Sequence, residues 1–174
     1  KKENPMPNHE LPYFGEIENG SLKEYYCVDV NLSNREIQID INFTKKSADD
    51  ENLEIIREFL SKIEEFDRRN ILEYKKDFQK EGETQEYIQF YIEELFEDEL
   101  KELISVNENE EIQKKQLLEK LELKRIGLYP DEKDEIGYFG VFDYSIKIED
   151  EFCNQLLVLK TNEKGELDHI TWES

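Results

Sequence analysis

Arg35-Glu36-Ile37-Gln38-Ile39-Asp40-Ile41-Asn42-Phe43 alternates between apolar and polar residues almost without a fault. A period of two places Ile37, Ile39, Ile41 and Phe43 on one face and Gln38, Asp40 and Asn42 on the other, the pattern of a half-buried antiparallel strand. The period then changes. Leu53, Ile56, Phe59, Leu60, Ile63 and Phe66 recur at helical spacing behind the capping candidates Ser47 to Asp50. This switch within one short stretch predicts a chain that keeps its strands and helices in separate blocks.

Toward the N-terminus, Tyr26, Val28, Val30 and Leu32 mark a strand over 22–32, joined to the first stretch by a tight turn at Ser33-Asn34. Asn19-Gly20 carries a hairpin signal, since both central residues of a type I′ turn need positive φ. It predicts that a strand over 13–17 pairs with 22–32, giving a three-stranded meander. The polar residues 1–10, with Pro5 and Pro7, are expected to be a flexible arm, and 11–174 one α+β domain.

Toward the C-terminus, Ile71, Leu72, Tyr74 and Phe78 continue the helical pattern until Gly82. Thr84 is an N-cap candidate for a third helix with Ile88, Tyr91, Ile92, Leu95 and Phe96 on its apolar face. A bend or break is expected near Asp98, and Ile112, Leu117, Leu118 and Leu121 suggest a shorter fourth helix. Helices therefore occupy 50–120. Strand patterns return over 124–129, 136–148, 155–160 and 167–172, with a type I turn at Asn162-Glu163-Lys164-Gly165 that needs Gly165 in the left-handed region. Strands at 13–43 and 124–172 around a helical middle predict an α+β fold: a mostly antiparallel sheet with three or four helices on one face.

Composition excludes whole classes of function. The chain has 44 Asp plus Glu against 23 Lys plus Arg, a net charge of −21. Phosphate neutralisation needs a cationic face, so nucleic acid is excluded as a partner, and an anionic membrane surface is excluded for the same reason. No apolar run is long enough to span a bilayer. Lys1 and Lys2 have no apolar segment behind them, which predicts a cytoplasmic protein rather than a secreted one. Cys27 and Cys153 form no CxxC and read as reduced thiols, with one disulfide possible if their strands adjoin.

Gly137-Tyr138-Phe139-Gly140-Val141-Phe142-Asp143-Tyr144-Ser145-Ile146, Gln155-Leu156-Leu157-Val158-Leu159 and the tail Asn162-Glu163-Lys164-Gly165 through Trp172-Glu173-Ser174 together make a strand, an N-x-x-G turn and a strand ending in Glu-Ser. This tail resembles an uncharacterised acidic bacterial family, the two-thousand-and-fourth of the numbered domains of unknown function. Leu11-Pro12-Tyr13-Phe14-Gly15 and the helical middle share the likeness. The family has no established activity, so the resemblance transfers no functional residue. In style it is similar to immunity partners of secreted bacterial toxins.

No phosphate loop, dinucleotide fingerprint, HExxH, GxSxG or CxxC is present. His169 with Cys27 or Cys153 is the one conceivable nucleophilic pair. Asp131, Glu132, Asp134 and Glu135 have the charge of a calcium loop without its spacing. No catalytic residue, cofactor or metal ligand is assigned. Charge placement stands out instead: residues 81–111 hold 12 acids and one base, Lys101. In a continuous helix, Glu93 with Glu97, Glu94 with Asp98 and Asp98 with Glu102 would be repulsive i,i+4 pairs. Glu93, Glu94, Glu97, Asp98, Glu99 and Glu102 are therefore the expected docking residues for a cationic protein, in a non-catalytic, immunity-like binding module. The alternative is an enzyme with an unrecognised carboxylate or metal-dependent hydrolytic site. The sequence sets no oligomeric state.

Overall fold

A computed structural model describes residues 9–174. Two short strands, β1 (His9–Leu11) and β2 (Gly15–Ile17), pair with each other. The hairpin β3 (Tyr25–Leu32) and β4 (Arg35–Asn42) follows, turning on Ser33 and Asn34, both at positive φ. Five helices then run in series: α1 (Asp50–Ser61), α2 (Ile63–Gln79), α3 (Glu83–Glu94), α4 (Glu97–Leu103) and α5 (Glu110–Leu118). β5 (Leu121–Leu128), the single turn α6 (Lys133–Ile136), β6 (Gly140–Ile148), β7 (Glu151–Phe152), β8 (Leu156–Thr161) and β9 (Leu167–Glu173) complete the chain.

The fold is α+β with a mixed, mostly antiparallel seven-stranded sheet of order β3-β4-β5-β6-β8-β9, β7 pairing with β6. Both strand blocks share it. Their junction is the parallel pair β4–β5, in which Ile39 faces Ile126 and Ile41 faces Leu128. A parallel joint needs a long crossover, and the five helices supply it. Register puts Ile39, Ile126, Phe142 and Leu159 on one face of the sheet. That face meets the helices: Phe59 of α1 packs 6.1 Å from Phe142, Tyr74 of α2 lies 5.3 Å from Tyr144, and Tyr87 of α3 lies 6.2 Å from Trp172.

Several local expectations need correction. Residues 1–8 of the expected arm lie outside the described residues, whereas His9 and Glu10 are in β1. Tyr13 is not in a strand; it sits in the β1–β2 turn at φ 69°. Asn19-Gly20 is a turn, with the Ser21 N–H donating to Glu18, but it does not join paired strands. Gly20 alone has positive φ, so type I′ geometry is absent. The Asn19 carboxamide instead clasps Ala48, donating to its carbonyl at 2.7 Å and accepting from its N–H at 3.0 Å. Local turn chemistry lost here to a tertiary contact, and the three-stranded meander is really two separate ladders. Lys62 divides the first helical stretch, so Ile63 and Phe66 belong to α2. Thr84 is the second residue of α3; Gly82 holds the cap position. Leu121 opens β5 rather than closing α5, and the stretch 136–148 is a helical turn followed by a strand.

Among the described residues no helix is long and apolar enough to cross a membrane.

Candidate functional site

The acidic surface is built around a helix break. α3 ends at Glu94, Leu95 and Phe96 are extended, and α4 starts at Glu97. The break lies just before the expected position at Asp98, and its consequence is physical. Glu93 with Glu97 and Glu94 with Asp98 no longer share a helix, so two of the three repulsive i,i+4 pairs do not exist. Glu97, Asp98 and Glu99 occupy the first turn of α4, where the helix dipole favours anions. Glu99 caps the helix: one of its carboxylate oxygens accepts from the Phe96 N–H at 3.0 Å. Phe96, expected on an apolar face, caps α4 and is 78% exposed.

The other carboxylates lie at the surface. The side chains of Glu97 and Asp98 are 77% and 98% exposed, and Glu93, Glu94 and Glu102 are exposed as well. Lys101 lies 3.9 Å from Glu97 and 4.0 Å from Asp98, too loosely to neutralise them. Glu93 also accepts from Gln89 at 2.8 Å and reaches a groove whose other walls include Phe90 and Trp172.

The nucleophilic pairs conceivable from the sequence do not form. Cys27 is on β3 and His169 on β9, the two opposite edges of the sheet path. Five strand spacings separate them, about 24 Å. His169 pairs with Lys160 across from Val141, on the face away from the helices, and its Nδ1 lies 2.5 Å from Asp168. Cys153 packs instead against the helix-side core. Both cysteines are free thiols. Asp131 is occupied too: its carboxylate accepts the Thr44 and Lys45 N–H groups at 2.9–3.0 Å, tying the β5–β6 loop to the end of β4. Among the described residues no cluster of His, Cys, Asp and Glu is arranged to hold a metal ion.

A second polar cluster lay hidden in the sequence. On the face opposite the helices, the Arg125 guanidinium donates to both oxygens of Asp40, at 2.6 and 2.8 Å, to Asp143 at 3.2 Å and to the Tyr129 hydroxyl at 3.0 Å. Asp40 is fully buried and also accepts from Asn42 at 2.7 Å. The three charged residues come from adjacent strands β4, β5 and β6 and span the parallel junction. A bulge at Lys124, where the β5–β6 register shifts, sends Arg125 to this face. Gly127 leaves room for it: a Cβ there would fall 2.4 Å from Arg125 Nη2.

Half-buried Asp67 and buried Asp143 both favour the protonated form in the folded protein. Burial pushes Asp67 above its ordinary 3.8, against the bond it accepts from Tyr144 at 2.6 Å. Burial also raises Asp143, against the pull of Arg125. Both groups bind protons more tightly folded than unfolded, so stability should rise as pH falls through their raised values toward 3.8. Glu163, lowered from 4.5 by the bond from Lys133, and Glu173, lowered against its desolvation by bonds from Thr171 and Lys160, work the other way below 4.5. Calorimetry at constant ionic strength should therefore give a Tm that rises as pH is lowered from 7 toward 4.5, and Asp67→Asn should flatten that rise. A Tm that falls steadily from pH 7 to 4.5 would refute it.

No family model, no curated protein and no solved structure matches this chain. The charge and shape of its own surface carry the functional reading.

Proposed function

We infer that this protein is a non-catalytic binding module that docks a cationic protein through the acidic surface of α3 and α4, in the manner of an immunity protein. The observation that supports it is the cluster of exposed carboxylates, Glu93, Glu94, Glu97, Asp98 and Glu102, held on a folded scaffold in a stretch, 81–111, whose one base is Lys101. Exposed charges of this kind steer encounter and raise association rates.

The double variant Glu94→Lys/Asp98→Lys tests the reading. A lysine in the last turn of α3 gains from the helix dipole, and one in the first turn of α4 loses, each by about 0.3–1 kcal/mol, so stability should stay nearly constant. A partner captured from lysate at low salt and released at high salt should associate more slowly with the variant. Its association rate should also depend less on salt. Unchanged association at unchanged Tm would remove the docking role.

A further inference from the structure

Charge meets an aromatic surface at one place on this acidic region. Glu86, Gln89, Phe90 and Glu93 stand at i, i+3, i+4 and i+7 along α3, one continuous stripe. Trp172 of β9 closes the wall beside it, its ring 4.9 Å from that of Phe90 and inclined at 56°. With Glu81 they line an open groove of about 490 Å³. The Trp172 indole N–H is already committed, donating to Gln155 Oε1 at 2.7 Å, so the ring is anchored and offers the groove π surface rather than a donor. The Gln89 amide N–H is likewise given to Glu93 at 2.8 Å, leaving its carbonyl oxygen free. No lysine or arginine is among the lining residues.

The groove therefore combines an aromatic wall with three uncompensated carboxylates. The complementary group is planar, cationic and rich in N–H donors. A guanidinium has all three properties: it stacks on aromatic rings and forks onto carboxylates. An ammonium has the charge without the plane. The geometry points to this groove as the anchor subsite for an arginine side chain of the partner, an inference that rests on the docking reading above.

Trp172 is the only tryptophan, so its fluorescence reports the groove directly. Hexa-arginine and hexa-lysine peptides are titrated into the full protein at about 0.15 M salt, where long-range attraction is screened beyond about 8 Å. Hexa-arginine should change Trp172 fluorescence saturably and bind about fivefold or more tightly than hexa-lysine. Phe90→Ala and Glu86→Gln should each erode that preference, the second without touching the core because Glu86 is exposed. Glu94→Lys/Asp98→Lys should weaken both peptides alike. Equal binding of the two peptides, or hexa-arginine binding that leaves Trp172 and the Glu86→Gln variant unaffected, overturns the arginine subsite while the wider docking surface stands. Failure of both peptides to bind overturns the subsite and the docking reading together.

Discussion

Arg125→Met is expected to cost about 3–5 kcal/mol, because it strands a buried charge. Asp40 has no exposed surface, and Arg125 supplies two of its hydrogen bonds. Without the guanidinium the carboxylate must stay charged in a poorly solvated site or take up a proton, and both routes cost stability. Asp143 loses its counter-ion at the same time. The whole triad is a different matter. Asp40→Leu/Arg125→Met/Asp143→Leu removes every charge together and should recover most of the loss, since an ion network often gains little over well-packed apolar residues. Urea denaturation of the two variants separates the cases. A single-variant loss below about 1 kcal/mol would mean that water reaches Asp40 and that the network does not bind the two strand blocks. A single variant too unstable to purify, beside a triple variant that folds, would make the same point as the expected values.

This network also shows where the sequence was readable and where it was not. Period two over Ile37 to Phe43, and helical spacing from Leu53 onward, placed the strand and helix blocks because each pattern is local to one element. Arg125 is not legible in that way. Strict alternation from Leu121 and Leu123 would send it into the core. The apolar spacing Leu121, Leu123, Ile126, Leu128 contains a step of three, and that step is the bulge. The signal was present once the strand was begun at Leu121 rather than at Lys124. Its partner Asp40 was visible only as a polar-face residue, because the pairing of β4 with β5 crosses 78 intervening residues.

The acidic surface divides similarly. Its charge was legible by counting, and a helix break near Asp98 was legible from the drifting apolar pattern. The extended pair Leu95-Phe96 was not, and it changes the energetics by removing two of the expected repulsions. Glu99 also serves as a cap of α4, which counting acids does not show. Trp172 gave no sign of joining α3, because a residue's neighbour across a sheet-to-helix interface leaves no periodic trace.

Gly165→Ala is expected to destabilise by about 2–5 kcal/mol through two independent costs. The first is conformational. Gly165 sits at φ 73° in the β8–β9 turn, where its N–H donates to Asn162, and a Cβ in that region costs roughly 1–2 kcal/mol. The turn chemistry in the sequence already demanded this. The second cost is steric. A Cβ at Gly165 would fall 2.3–2.5 Å from the Phe66 ring of α2, and overpacking a buried contact costs typically about 1–3 kcal/mol. Phe66 cannot yield easily. It is 3% exposed, its ring lies 5.0 Å from that of Phe59, and Arg69, which stacks over it, donates to the Lys164 carbonyl at 3.2 Å. The turn is thus a seat for α2 on the sheet as well as a hairpin loop. A double-mutant cycle with Phe66→Leu separates the terms. The smaller side chain should relieve the steric cost and leave the conformational one, so the pair should lose less than the sum of the single losses by at least about 1 kcal/mol. Additive losses would show that α2 does not rest on this turn, and a single loss below about 0.5 kcal/mol would deny both costs.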